Sequence, residues 1–167
     1  MKKAIIILAI LLVPVMSFAE NPGGKISKRK VSAVVSQYRG KQGVEVLDIG
    51  YLGTALMKGI ASISSGNDKD AREALTALKG LKGMTIFSFE DADAELKQKI
   101  NGKLNKMLKG VDLLMEAKDD GETMRIYGSY SEKTGKVSDV ALFSPDGTFI
   151  FLVGSFNLND ISSAMAK

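Results

Sequence analysis

Residues 111–154 read VDLLMEAKDDGETMRIYGSYSEKTGKVSDVALFSPDGTFIFLVG, and this stretch decides the fold. Its apolar period is two. Met124, Ile126, Gly128 and Tyr130 alternate with Thr123, Arg125, Tyr127 and Ser129, as a strand with two different faces requires. Turn signals at Asp119-Asp120-Gly121, Glu132-Lys133-Thr134-Gly135 and Pro145-Asp146-Gly147 cut the stretch into strands 111–117, 122–130, 137–144 and 148–154. Connections this short make sequential strands neighbours, so the four form a meander. Phe149 to Val153 is apolar without a break, which predicts a central strand or one covered on both faces.

Upstream the period lengthens. Val31, Val34, Val35 and Tyr38 fall on one stripe of a helix over 26–39, with Gly40 as its stop. Residues 44–49 read as a strand that is polar at Glu45 and Asp48. A second helix carries Leu52, Leu56, Ile60 and Ile63; Asn67 is placed to cap a third, with Ala71, Ala74, Leu75 and Leu78 inward. A strand over 84–89 follows. The helix over 91–109 has Leu96, Ile100, Leu104 and Met107 or Leu108 as its stripe, with acids at its start and Lys at its end. Asn157 is placed to cap a last short helix with Leu158, Ile161 and Met165 inward. The expected fold is α+β, with a mixed or antiparallel sheet of about six strands ending in the four-strand meander. Its helices pack mainly on one face. The strand over 84–89 is expected to be reached from the one over 44–49 by a right-handed crossover.

The chain opens on Met1-Lys2-Lys3, an apolar run from Ala4 to Val13, Pro14 and then Ser17-Phe18-Ala19. Charged, apolar, small-x-small is the order of a secretory signal, and the run is too short before Pro14 to span a bilayer. Residues 1–19 are expected to be removed, 20–27 to form a flexible mature N-terminus, and 28–167 to form one domain. No Cys follows the run, so lipid attachment there has no acceptor. No later segment reads as a membrane span. The expected localisation is the periplasm, or secretion.

Losing Lys2 and Lys3 takes the bases from 23 to 21 against 19 acids, so the formal charge falls from +4 to +2. A near-neutral mature chain argues against a nucleic-acid partner. The sequence has no His and no Cys. That removes the usual zinc, copper and haem ligands, the disulfides and the commonest proton-transfer side chain. No metal, cofactor or catalytic residue is therefore assigned.

Several short matches are better explained as local structure. Gly50-Tyr51-Leu52-Gly53-Thr54 lacks phosphate-loop spacing. Asp91-Ala92-Asp93-Ala94-Glu95 has Leu96 where a calcium loop needs Gly. Lys133-Thr134-Gly135, Ser27-x-x-Lys30 and Ser138-Asp139 are similar to signatures of serine acyl-transferring enzymes but stand in the wrong order. Met57, Met84, Met107, Met115, Met124 and Met165 read as core filler.

The Gln37-Tyr38…Gly43-Val44-Glu45-Val46 entry, Ile49…Leu56-Met57-Lys58 and residues 86–93 begin a recognisable series, which residues 113–121, 124–127 and 137–142 continue. Leu152-Val153-Gly154-Ser155-Phe156…Asp160-Ile161 closes it. Over roughly residues 28–166 the chain resembles the bacterial domain of unknown function 4252 family (DUF4252). That resemblance implies a Gram-negative envelope setting and carries over no established activity or binding residues. Many members resemble lipoproteins, whereas Glu20 stands here where their Cys would be.

The leading functional expectation is an exported, non-catalytic binding module for an envelope protein or a small apolar ligand. Tyr127, Tyr130, Phe149, Phe151 and Phe156 are candidates to line its groove, or to pack the core. One alternative is a hydrolase built on two of Glu45, Asp48, Glu90 and Glu116, which must then meet in a cleft. Another is a peripheral membrane-surface protein docking through Lys28, Arg29 and Lys30.

Overall fold

The computed structural model describes residues 24–50, 53, 80–119 and 121–157. The elements are α1 (Lys28–Tyr38), β1 (Glu45–Ile49), β2 (Leu81–Ser88), α2 (Ala94–Leu108), β3 (Leu113–Asp119), β4 (Glu122–Ser131), β5 (Lys136–Ser144) and β6 (Thr148–Asn157). The proposed leader, the helices expected around 52–63 and 67–78, and the one after Asn157 lie outside the described residues. So does most of the Gly50–Thr54 turn.

All six strands form one sheet in the order β1-β2-β6-β5-β4-β3, and every neighbouring pair is antiparallel. The C-terminal meander is there, and β6 joins it to β2. The expected crossover between β1 and β2 is not: they pair directly and antiparallel, with Val46 opposite Phe87. A crossover implies a parallel pair, but antiparallel neighbours accept a connection of any length. Counting directions through the sheet, β2 and β3 run the same way, so α2 carries the chain over β6, β5 and β4 from one to the other.

The registers align one row across all six strands: Val46, Phe87, Phe149, Phe143, Arg125 and Glu116. The row is apolar under the helices and becomes an ion pair at the far edge. Phe87, Phe143 and Phe149 are fully buried with Phe89 and Phe151, beneath Val31, Val35 and Tyr38 of α1 and Ile100, Leu104 and Leu108 of α2. Both described helices thus pack on the same face. The opposite face carries a second cluster of Leu81, Ile126, Val137, Val140 and Phe156, against which Leu152 packs. β6 therefore sits centrally and contributes apolar side chains to both faces, as its unbroken run requires.

α2 begins where Asp93 accepts the Leu96 N–H at 2.8 Å. The acids of 91–95 are thus a helix start, and the cap removes one unsatisfied donor from its first turn. The two helices run antiparallel and are pinned at both ends. The Gly24 N–H donates to the Gly110 carbonyl at 2.5 Å, just before α1 and just after α2. At the other end Gly43 lies so close to the Asp91 carbonyl that a Cβ would overlap it. Ile26, in the stretch before α1, is already buried in the core.

Some boundaries moved. β2 begins at Leu81 rather than 84, and β6 continues through Gly154 and Ser155 to Asn157, so Asn157 ends a strand. Met84, Met107, Met115 and Met124 are half-buried, and Met107 and Met115 pack at the margins of the two clusters rather than in their centres.

Candidate binding cleft

A cleft of about 270 Å³ lies between α1 and the β1–β2 end of the sheet. The periodicity of α1 builds one wall. Val31 and Val35 are buried on the stripe facing the sheet, and Ser32, Ser36 and Arg39 follow on the adjoining stripe at i, i+4 and i+7. β1, β2 and β6 build the other wall with Asp48, Ile49, Met84, Thr85 and Val153. Lys28 stands at the end of the helix wall. The floor is aliphatic, and hydroxyls and charges occupy the rim.

One hydrogen-bonded group organises that rim. Thr85 is opposite Asp48 in the β1–β2 register, and its hydroxyl donates to Asp48 Oδ1 at 2.8 Å. Arg39, at the C-cap of α1, donates through Nη2 to Asp48 Oδ2. Both carboxylate oxygens thus have donors, and the guanidinium that holds one of them is half-exposed. A carboxylate held this way orients an arginine; it is poorly placed to take a proton from a substrate.

Of the four acids considered for hydrolysis, Asp48 and Glu116 are held apart by the fold, while Glu45 pairs with Ser88, two residues before Glu90. Glu45 and Asp48, three apart on β1, point to opposite faces. Glu116 lies on β3 at the opposite edge, five strand spacings or about 24 Å from β1. Glu90 has left the sheet beyond β2 and accepts from the Thr148 hydroxyl at 2.9 Å. Among the described residues no three acids are grouped to hold a metal ion.

Glu116 has its own partners. Arg125 Nε donates to it at 2.7 Å from the next strand, and Lys118 Nζ lies 3.4 Å away. The Arg125 hydrogen bond holds the Glu116 carboxyl below its ordinary value, against the opposing effect of desolvation. A depressed folded-state pKa adds stability above the unfolded carboxylate range, and that stability is lost as pH falls through the folded value. Glu116→Gln is therefore expected to flatten the fall in stability below about pH 4. It should cost up to about 1 kcal/mol at pH 7, as for a half-exposed pair. Urea titrations of both proteins from pH 2 to 7 check this; parallel pH curves would refute it.

The remaining sequence candidates have structural roles. Phe149, Phe151 and Phe156 are core residues: β6 is central, α1 and α2 cover the face that carries Phe149 and Phe151, and Phe156 packs in the opposite cluster. Tyr127 is half-buried, and that burial pushes its hydroxyl pKa up. Tyr130 is more exposed. Lys133-Thr134-Gly135 is the β4–β5 turn, closed by N–H groups of Thr134 and Gly135 on the Ser131 carbonyl. Ser138-Asp139 is a bulge in β5, where the Asp139 carboxylate accepts the Gly154 N–H at 3.1 Å. Ser32, Ser36, Arg39 and Thr85 were not singled out by sequence. The available signal was the polar stripe beside the apolar one on α1.

Fold and cleft together define an α+β module with an antiparallel sheet, a layer that includes both described helices, and a recess at the β1–β2 end. Within that class the chain belongs to the family described as domain of unknown function (DUF4252), whose family model matches residues 38–164. The match takes in the whole sheet and begins at the last residue of α1. No curated protein and no solved structure matches the chain. No helix among the described residues is long and apolar enough to cross a membrane.

Proposed function

We propose that the chain is an exported, non-catalytic binding module that holds a small ligand with an apolar body and a polar head in the α1–β1–β2 cleft. The observation that carries this reading is the aliphatic floor of Val31, Val35 and Val153 beneath a rim of Arg39, Asp48 and Thr85. Ligand sites combine an apolar lining with a few fixed polar groups in this way, and the volume suits a small ligand. The engagement of Asp48 by Arg39 and Thr85, the distance of Glu116 on the far edge and the lack of His and Cys support binding over catalysis. The leader-like residues 1–19 support export.

The test is native mass spectrometry on the protein recovered from the periplasm of a Gram-negative host expressing the full chain. The expected species starts at Glu20 and carries a non-covalent small molecule. Ser32→Trp, at an exposed position on the cleft wall, is expected to abolish retention while circular dichroism stays unchanged. Residues 1–19 still attached would overturn the export reading. An empty protein, or a ligand retained by Ser32→Trp, would overturn the cleft.

A further inference from the structure

Two basic segments far apart in sequence meet at one end of the helical layer. The Gly24–Gly110 hydrogen bond puts Lys25 beside Lys109 along the chain and brings the first turn of α1 to the last turns of α2. Lys25, Lys28, Arg29, Lys30, Lys103, Lys106 and Lys109 are all exposed. None of the seven enters an ion pair within the described residues. Across residues 24–33 and 103–113 the only acid is Asp112. The acids at α2 stand at its other end, Glu95 in its first turn and Asp91 and Asp93 just before it.

We infer that this end of the helical layer docks on an anionic phospholipid surface. Its composition selects that partner. Six of the seven cations are lysines, point charges on long stems that suit a fluid plane of headgroups. Shaped protein interfaces favour Arg, Tyr and Trp and are depleted in Lys. No aromatic residue lies in either stretch, so nothing there offers the stacking platform of a single-stranded nucleic-acid site. Each base near an anionic surface contributes additively, and the attraction decays within a Debye length of about 8 Å at physiological salt. Neither segment alone matches the charge that the fold assembles from both. This surface is separate from the cleft, touching it only at Lys28, and does not depend on a ligand there.

The test is co-sedimentation of the mature chain, from Glu20, with vesicles of phosphatidylcholine alone or with 30% phosphatidylglycerol. Binding is expected only to the anionic vesicles and should disappear at 0.5 M salt. Arg29→Gln/Lys30→Gln on α1 and Lys103→Gln/Lys106→Gln/Lys109→Gln on α2 are each expected to lower partition by roughly tenfold to a hundredfold. Combining them should abolish it. Lys133→Gln/Lys136→Gln, which removes charge from the β4–β5 turn, is expected to leave partition unchanged. Equal binding to neutral vesicles would overturn the inference. So would an α2 variant that binds like the parent, or tighter binding to heparin or DNA than to vesicles at the same salt.

Discussion

Phe87→Ala is expected to destabilise the protein by about 3–5 kcal/mol, the range for emptying a fully buried aromatic site. Phe87 is wholly inaccessible. It lies between Val46 and Phe149 in the row that crosses the sheet. Its ring stacks with Tyr38 of α1 at 6.5 Å and meets Phe89 at 5.3 Å. One side chain thus joins β1, β6, the first helix and the segment leading to the second. A domain of this size has about 5–15 kcal/mol in total, so the loss is a large share of its stability. Urea denaturation gives the value. A loss under about 1.5 kcal/mol, small for any large-to-small core replacement, would show that α1 does not sit over Phe87.

Gly43→Ala is expected to cost about 2–4 kcal/mol, from two sources. The backbone at Gly43 has φ +74, a conformation in which a Cβ carries a strain of about 1–3 kcal/mol. That Cβ would also overlap the Asp91 carbonyl, which is backbone and cannot rotate away. Relief requires separating the end of α1 from the start of α2. Gly40 supplies the control: its φ is +81, but nothing lies within 4 Å of a Cβ there. Gly40→Ala should therefore lose only the conformational part, about 1 kcal/mol. Thermal melts of the two variants separate strain from contact. Equal losses would mean that the Gly43–Asp91 approach contributes nothing.

The parts of the fold legible in sequence were those set by short-range patterns. The meander was readable because Pro145-Asp146-Gly147 and its counterparts fix turns, and alternation fixes faces. α2 was readable from Leu96, Ile100, Leu104 and Leu108, with Asp93 at its start. The β1–β2 partnership depends on tertiary registry between segments joined by a long connection, and periodicity carries no direction. Residues 81–83 were missed because Lys82-Gly83 has low strand propensity. Their pairing comes from β6, which reaches Leu81 through Gly154. The cleft was less legible than the fold. Asp48 was noticed as an acid, but its meaning lies in Arg39 and Thr85, the first brought near by the α1–β1 turn and the second by the register. The basic end was half visible, as Lys28, Arg29 and Lys30, and its other half needed the antiparallel packing of α1 on α2.

The position of β6 also sets an order of assembly. Phe87 and Phe149 pair across β2 and β6 although about sixty residues separate them, and loops of that length close slowly. Until β6 arrives, β2 and β5 each show a bare hydrogen-bonding edge beside a row of large apolar side chains. Such edges recruit strands from other molecules. Because β6 is the last strand described, any chain cut short before residue 148 is two open half-sheets rather than a smaller domain. One strand thus closes both of these inner edges together, and it is the last of the described strands to be made.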